Sequence, residues 1–414
     1  MNRATNQQDN SDELNKNKAL CYYPFKAIDV ISNSKIIPCC RFDERLNQTT
    51  DPVTSNNTIT DIFHNSDYYN NMRNKMLKGE KIKGCWKCYK EEESNMPSMR
   101  LRSHQSMNQN IEINLEYMEV EVGRFCNLKC RSCSPDVSSG FHNEMKSDKS
   151  MEKFWNWDLS DKMFDVDNQL NEVFLHIKKE QVESLRYLKV TGGEPLLSQY
   201  FVDFLNKLVE WDLAKNISIE LYTNCTFLPK QKLLDNFKYF KFIELYMSID
   251  DINERSDFLR SGSEWKVMEK VAKSWANFTS KNDNMRLSVS TTISIFNIFY
   301  LKQLVDWIAS TLNIDWPNIN FAYWPKYMYI GNFGKEIQQE IDNMLKKDFD
   351  KNTLSEAGIY NISKIESIVK DQNPGNNYED FINYTSLFDT ARNENWKETF
   401  PKLHQLLKQY KNSI

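Results

Sequence analysis

The sequence predicts an α/β protein: a partial (β/α)6 barrel, preceded by a small cysteine-rich segment and followed by helices. Three observations carry that expectation. From Glu112 to Trp324, short runs of β-branched and aromatic residues alternate with stretches whose apolar residues recur at helical spacing. Such repeated β–α units pair in parallel through right-handed crossovers. Glycine-containing or polar turns follow the strands, at the end where α/β barrels gather their chemistry. Five cysteines precede this region, and three more follow its first strand directly.

Residues 1–20 are polar, lack the apolar stretch of a signal peptide and read as a disordered tail. The cysteine-rich segment, residues 21–108, opens at Cys21. A strand at Ala27–Val30, turn residues Ser32 to Ser34 and a return strand at Lys35–Ile37 predict a hairpin that ends at Pro38-Cys39-Cys40. After a polar loop from Asp43 to Asn57, Ser66 caps a helix with Tyr69, Met72, Met76 and Leu77 on one face, and Gly79 stops it. Cys85 and Cys88 come next. The barrel, residues 109–330, begins with an alternating strand over Tyr117–Val122. Its later strands are expected at Arg186–Val190, Ile217–Tyr222, Phe242–Ile249, Arg286–Ile295 and Ile319–Trp324. Phe201, Phe204, Leu205, Leu208 and Val209 mark one intervening helix; others are expected near Trp265 to Ala276 and Leu301 to Ile308. Residues 331–414 are polar and mostly helical, with apolar spacing at Ile337, Ile341 and Leu345 and a last helix from about Trp396 to Tyr410. These helices either cover the barrel or bind a partner.

At 414 residues the chain suits two or three domains, and 40% hydrophobic content is enough for a large core. A net charge of −4 and the lack of a basic run disfavour nucleic acid, which is gripped through its phosphates. No apolar run reaches the length of a membrane span. Nine cysteines without a secretion signal point to metal ligation in a reducing compartment, hence to the cytoplasm.

The chemistry concentrates in Cys126, Cys130 and Cys133, spaced C-x3-C-x2-C. Three thiolates on a four-iron cluster leave one iron open to a small molecule. Structural zinc would want a fourth ligand, and the nearest histidine, His142, is poorly spaced for it. Gly192-Gly193-Glu194-Pro195 ends the second strand: the glycines let the backbone approach a ligand, and Glu194 offers an acceptor for an ammonium. Thr223 and Asn224 end the third strand, and Ser248-Ile249-Asp250 the fourth. Arg260 is able to pair with a carboxylate or to lie on the surface. Cys225 reads as a buried small residue.

These motifs together resemble the radical S-adenosylmethionine (SAM) superfamily over roughly Glu112 to Trp324. The resemblance implies a [4Fe-4S] cluster on Cys126, Cys130 and Cys133, with SAM on the open iron. Gly192, Gly193, Glu194 and Pro195 then lie at the amino group of SAM, and Ser248 and Asp250 at its ribose and carboxylate. Thr223, Asn224 and Arg260 complete the cofactor contacts, and Asn297 matches an asparagine of relatives. It departs from the usual pattern at Ser132, where many members have an aromatic, and at Cys225, where many have glycine. The N-terminal cysteines resemble the auxiliary-cluster segments called SPASM or twitch domains, here ahead of the barrel, and Glu91 to Arg102 is similar to a linker of that group. Cys21, Cys40, Cys85 and Cys88 would hold a second iron–sulfur cluster, Cys40 being favoured slightly over its neighbour Cys39. The spacing alone equally allows a four-cysteine zinc site.

The implied activity is reductive cleavage of SAM, with an electron from a flavodoxin or ferredoxin, and hydrogen abstraction from a peptide or small-molecule substrate. An RNA-modifying enzyme, or a zinc-stabilised binding protein with a degenerate barrel, are the rival readings. No catalytic acid, base or nucleophile stands out in the sequence.

Overall fold

The structure is a computed structural model. It describes residues 17–31, 34–46, 50–94, 96–107, 109–135, 137–148, 171–370 and 377–411. Most of the expected tail, turn residues Ser32 and Asn33, and positions 47–49 of the polar loop lie outside them.

In chain order the main elements are β1 (Ala27–Val30), β2 (Ile36–Ile37), α1 (Asp67–Leu77), α2 (Trp86–Glu93), α3 (Met99–Ser106), β3 (Tyr117–Glu121) and α4 (Ser139–Ser147). There follow β4 (Tyr187–Thr191), α5 (Gln199–Glu210), β5 (Ser218–Thr223), α6 (Gln231–Phe237), β6 (Phe242–Ser248), α7 (Glu254–Leu259) and α8 (Trp265–Thr279). Last come β7 (Met285–Ile293), α9 (Leu301–Leu312), β8 (Asn318–Phe321), α10 (Lys335–Asp348), α11 (Glu356–Val369), α12 (Tyr378–Arg392) and α13 (Pro401–Lys411). The strands follow the sheet order β2-β1-β3-β4-β5-β6-β7-β8. The pairs β1–β3, β3–β4, β4–β5 and β7–β8 are parallel, and β1–β2 is antiparallel. This is the α/β architecture that the alternation of strand and helix patterns predicts. The expected hairpin β1–β2 does form, but β1 also extends the parallel sheet by pairing with β3.

The chain divides into two compact units. The first comprises Met1–Gly123, Asn168–Leu221 and Lys232–Ile243. Strands β4 and β5 alternate, while β1 is buried throughout. In β4 Leu188 and Val190 are buried while Tyr187 and Lys189 are half-exposed, and in β5 Ile219 and Leu221 are buried while Glu220 is not. The apolar face packs on α5, whose Phe201, Phe204, Leu205 and Leu208 are buried. Phe174 sits between two of them, its ring centroid 5.6 Å from Phe201 and 5.2 Å from Phe204. Each such side chain contributes roughly 1.5–3 kcal/mol on burial. Ser198 starts α5 by accepting a hydrogen bond from the Phe201 amide. The polar face carries a row of charged residues in strict register: Asp29 opposite Glu119, Glu119 opposite Lys189, and Lys189 opposite Glu220.

Helix α1 begins at Ser66, which caps the Tyr69 amide, and ends before Gly79, whose φ of +78° suits glycine. Tyr69, Met72 and Met76 are buried as the spacing predicts, but Leu77 is 37% exposed and Arg73 is buried instead. Arg73 replaces it because its guanidinium finds partners: the Pro24 carbonyl at 2.8 Å and the faces of Phe63 and Tyr69.

The second unit comprises Arg124–Asp167, Tyr222–Gln231 and Glu244–Ile414. Helices α10 to α13 build its core: Ile337, Ile341 and Leu345, at the expected spacing, join Phe381, Trp396 and Phe400. Phe400 packs against Phe258 and Phe296, with ring centroids 5.1 Å away in both cases. The last helix is not continuous. A short turn at Trp396–Thr399 stops at Phe400, because Pro401 has no amide to continue the ladder, and α13 restarts there.

Candidate metal and cofactor site

The second unit contains the C-x3-C-x2-C loop. Its backbone is fixed on two sides. The Lys129 amide donates to the Ser261 carbonyl at 2.9 Å and the Arg131 amide to the Leu259 carbonyl at 2.8 Å, so the loop runs alongside residues 259–261. Close backbone approach is part of the construction: a side chain at Gly140 would press on the Leu128 carbonyl at 3.0 Å. Gly262, at φ +95°, would press on the Asn127 carbonyl at 3.3 Å. Cys126 takes hydrogen bonds at sulphur from the Leu128 amide at 3.4 Å and from Asn224 Nδ2 at 3.9 Å. Asn224 also donates to Asn127 Oδ1 at 2.7 Å.

Cys130 is buried, and Cys126 and Cys133 are half-buried. Burial pushes the Cys133 thiol well up, and the sulphurs of Cys130 and Cys126 push it further, so the three lie within electrostatic reach of one another. The charge that opposes them is Arg260. It is buried rather than at the surface, and Cys130, Asp250 and Cys126 hold its guanidinium firmly protonated against the cost of burial. Arg260 Nη1 bonds Asp250 Oδ2 at 2.8 Å. The other Asp250 oxygen accepts from the Thr292 amide at 2.8 Å, and Asn297 Nδ2 donates to the Asp250 carbonyl at 2.7 Å. The structure thus joins Asp250, Arg260 and Asn297 into one brace beside the thiols. Thr223 is buried and accepts from the Cys225 amide; Cys225 is buried at φ +62°, its sulphur near Met247. Ser248 ends β6 and is half-buried.

Sequence reasoning missed how the C-terminal helices tie this loop down. Arg131 is buried with its guanidinium 3.7 Å from the centroid of the Phe258 ring. Its Nη2 bonds Asp389 Oδ1 at 2.7 Å and also Glu394, which in turn accepts from Ser261 Oγ at 2.7 Å. Glu144 of α4 pairs with both Lys129 and Arg392. Basic residues between ligating cysteines were the one available signal, and it does not name a partner.

In the first unit, Gly192 adopts φ +119°, and a Cβ there would meet the Gly123 carbonyl at 2.7 Å and the Val122 amide at 3.0 Å. The Gly193 amide donates to the same carbonyl at 2.8 Å. Only glycine fits this turn. Glu194 and Pro195 are buried, and Glu194 Oε1 caps the next turn by accepting from the Leu196 amide at 3.1 Å.

The same unit holds the N-terminal cysteines. The Cys39 thiol is pushed up by burial and then by Cys21, Cys85 and Cys40, and the Cys85 thiol by burial and then by Cys21 and Cys88. Burial pushes Cys21 to about 11, with Cys88 adding to the rise and Arg100 opposing it. Cys21, Cys39 and Cys85 share one apolar cluster, and Cys88 acts on Cys21 and Cys85. Cys40 is partly open to solvent and lies beside Glu119 and Asp29; loss of hydration and then these two carboxylates push its thiol up to about 12. Its sulphur lies 3.9 Å from that of Met99. Arg100 is fixed by a fork to Glu92 and by the Leu20 carbonyl at 3.0 Å, and Ser98 bonds Glu92 and caps α3. The stretch between Glu91 and Arg102 thus carries the cation beside the cysteines.

Comparison with known proteins agrees with the loop chemistry. Residues 120–295 match the family described as "Radical SAM superfamily". Curated relatives include a GTP 3',8-cyclase of Sulfurovum sp. (strain NBC37-1), 29% identical over 29% of this chain and 31% of the relative. Another, from Alkaliphilus oremlandii (strain OhILAs), is 22% identical over 58% of this chain and 68% of the relative. The chain spans about a third of the length of the first curated relatives it matches. Among solved structures, "Native anSMEcpe with bound AdoMet" aligns at a TM-score of 0.35 and 14% identity, over 56% of this chain and 61% of that one. Streptococcus suis SuiB bound to precursor peptide SuiA aligns at 0.33 and 13%, over 77% of this chain and 67% of that one. The donor set fits the family's cofactors, since three thiols share one buried guanidinium and glycine backbones crowd the loop. Residues 120–295 carry a radical SAM superfamily domain, and enzymes of that superfamily use a [4Fe-4S] cluster and S-adenosylmethionine.

Proposed function

We propose that this protein modifies a peptide or small-molecule substrate by radical SAM chemistry, with Cys126, Cys130 and Cys133 holding the SAM-binding cluster. The observation that carries the reading is the C-x3-C-x2-C loop, inside the matched region, held by backbone hydrogen bonds against Leu259 and Ser261 on either side of the buried Arg260. When bound, cluster and SAM supply one-electron cleavage of SAM and the hydrogen-abstracting radical that follows. The chain's own residues do the rest. Arg260 offsets thiolate charge in a place that water does not reach, and Asp250 and Asn297 fix its position. Asn224 donates to the Cys126 sulphur, which withdraws electron density from that ligand. By the family resemblance alone, Gly192, Gly193, Glu194 and Pro195 would be the contacts of the SAM amino group, Ser248 and Asp250 those of its ribose and carboxylate, and Thr223 and Asn224 further cofactor contacts.

For the N-terminal site we propose Cys21, Cys39, Cys85 and Cys88 as ligands of an auxiliary iron–sulfur cluster, with Arg100 as the neighbouring cation. This replaces Cys40 by Cys39 in the set expected from the sequence. Zinc at these four thiols is the alternative. Residues 21–108, 109–330 and 331–414 remain the working division into auxiliary segment, barrel and helical extension. The electron donor would be a flavodoxin or ferredoxin and the address cytoplasmic. No helix among the described residues is long and apolar enough to cross a membrane. The names of the curated relatives make GTP the first nucleotide to try as substrate.

The test is release of 5′-deoxyadenosine by anaerobically reconstituted, dithionite-reduced protein. Release should vanish when Cys126, Cys130 and Cys133 are all replaced by alanine, because the irons lose every protein ligand there. Equal release from parent and triple variant would overturn the assignment.

A further inference from the structure

On the polar face of the first unit, Asp29, Cys40 and Glu119 bring one ligand atom each to within 4.8 Å of the others. The sequence puts them there by two independent routes. Asp29 and Glu119 are direct neighbours in the register of β1 and β3, and Cys40 is the residue that turns away from the cysteine group just after β2. Glu119 is 5% exposed; its Oε2 makes no hydrogen bond of ordinary length among the described residues and has only the Cys40 thiol as a near partner. Its other oxygen is bound by Lys189 Nζ at 2.8 Å. A buried carboxylate oxygen without an ordinary hydrogen bond is costly, and one directed at a second carboxylate and a thiol is costlier still.

We propose that Asp29, Cys40 and Glu119 form a three-ligand site for a single divalent cation, zinc by its donor set, with one coordination position left open. One sulphur and two carboxylates are borderline donors that suit zinc better than magnesium or calcium, which prefer oxygen alone. The local charge also favours a cation. Two carboxylates and a thiolate would carry three negative charges against the one positive charge of Lys189, which Glu220 also shares, so a dication is favoured there. Zinc–sulphur and zinc–oxygen bonds of roughly 2.3 and 2.0–2.2 Å put tetrahedral donors about 3.5 Å apart. The three atoms must therefore close by about 1 Å, within the reach of side-chain rotation on fixed strands. Three protein ligands with an open fourth position is the arrangement that binds a water or a substrate oxygen. The site shares no ligand with either cysteine group, although Cys40 follows Cys39 directly in the chain.

The test is zinc and iron stoichiometry of the full-length protein after anaerobic iron–sulfur reconstitution, equilibration with zinc ion and gel filtration. The parent should carry one zinc more per chain than Cys40→Ser and Glu119→Gln, at equal iron. Lys189→Met, which removes the competing cation, should tighten zinc roughly tenfold, a gain that misfolding does not produce. The proposal fails if the parent carries no more zinc than the two variants, or if Lys189→Met binds zinc no better. It fails too if Cys40→Ser loses iron, because Cys40 would then be a cluster ligand.

Discussion

Replacing Arg131 by alanine should loosen the cysteine loop and lower its hold on iron. The side chain is 1% exposed, stacks 3.7 Å over Phe258 and bonds Asp389 and Glu394. Removing one partner of a buried ion pair costs about 3–5 kcal/mol. Two features put the expected loss near the lower bound. Asp389 and Glu394 are 13% and 20% exposed, so water recovers part of their solvation once the arginine is gone. Arg131 Nε and Nη1 have no hydrogen-bond partner among the described residues, so the guanidinium already carries a desolvation cost. About 3 kcal/mol in a unit of some 200 residues corresponds to a fall in Tm of roughly 6–12 °C. The assay is thermal unfolding of the reconstituted protein, with iron counted after gel filtration. Arg131→Lys keeps the charge but loses the fork and the flat stacking surface, so it should fall between parent and alanine variant. A Tm change in Arg131→Ala below about 2 °C, with iron unchanged, would refute the brace.

Cys39→Ala should lose the iron of the N-terminal site while Cys40→Ala keeps it, read by iron and sulfide analysis; the reverse result restores Cys40 as the ligand. Gly192→Ala forces a Cβ to within 2.7 Å of a carbonyl at φ +119° and should destabilise by at least about 2 kcal/mol in denaturant titration. Glu194→Gln leaves the cap on Leu196 but removes the charge, so SAM should bind roughly 10- to 150-fold more weakly with the cluster spectrum intact. Unchanged affinity would make that turn purely structural. Asp251 is buried, and burial outweighs its bond to Arg255, raising its carboxyl to about 6. The folded state then holds this proton more tightly than the unfolded chain. Its contribution is therefore complete below about pH 4 and lost as pH rises through 6, on the order of 3 kcal/mol. Asp251→Asn apoprotein should show a flatter urea stability profile between those pH values than the parent.

Much of the fold was legible because it rests on local periodicity. Phe201, Phe204, Leu205 and Leu208 announce α5, and Ile337, Ile341 and Leu345 announce α10. The cysteine loop and the glycine turn were legible because ligand spacing and positive φ constrain residue type within a few positions. What could not be read were contacts across long stretches of sequence. Cys39 and Cys40 are adjacent and chemically identical; only the packing of each side chain separates a position facing Cys21 and Cys85 from one facing Glu119. Arg260 read equally as a carboxylate partner or a surface residue, because its partner Asp250 is met only when α7 turns back on β6. The charged row across β1, β3, β4 and β5 was hidden for the same reason: Asp29, Glu119, Lys189 and Glu220 each look like the solvent side of a strand until register aligns them.

The bond between Arg131 and Asp389 spans 258 residues of chain. A ribosome adding about 5–20 residues per second needs roughly 13–50 s to travel that distance. Throughout that interval the nascent loop of Cys126, Cys130 and Cys133 has been synthesised without the helices that clamp it. Iron delivered in that window would meet an unbraced loop, which makes cluster assembly an event of the finished chain. Premature termination between Cys133 and Asp389 would yield a product that has all three cysteines of the loop and not the clamp that Asp389 and Glu394 provide.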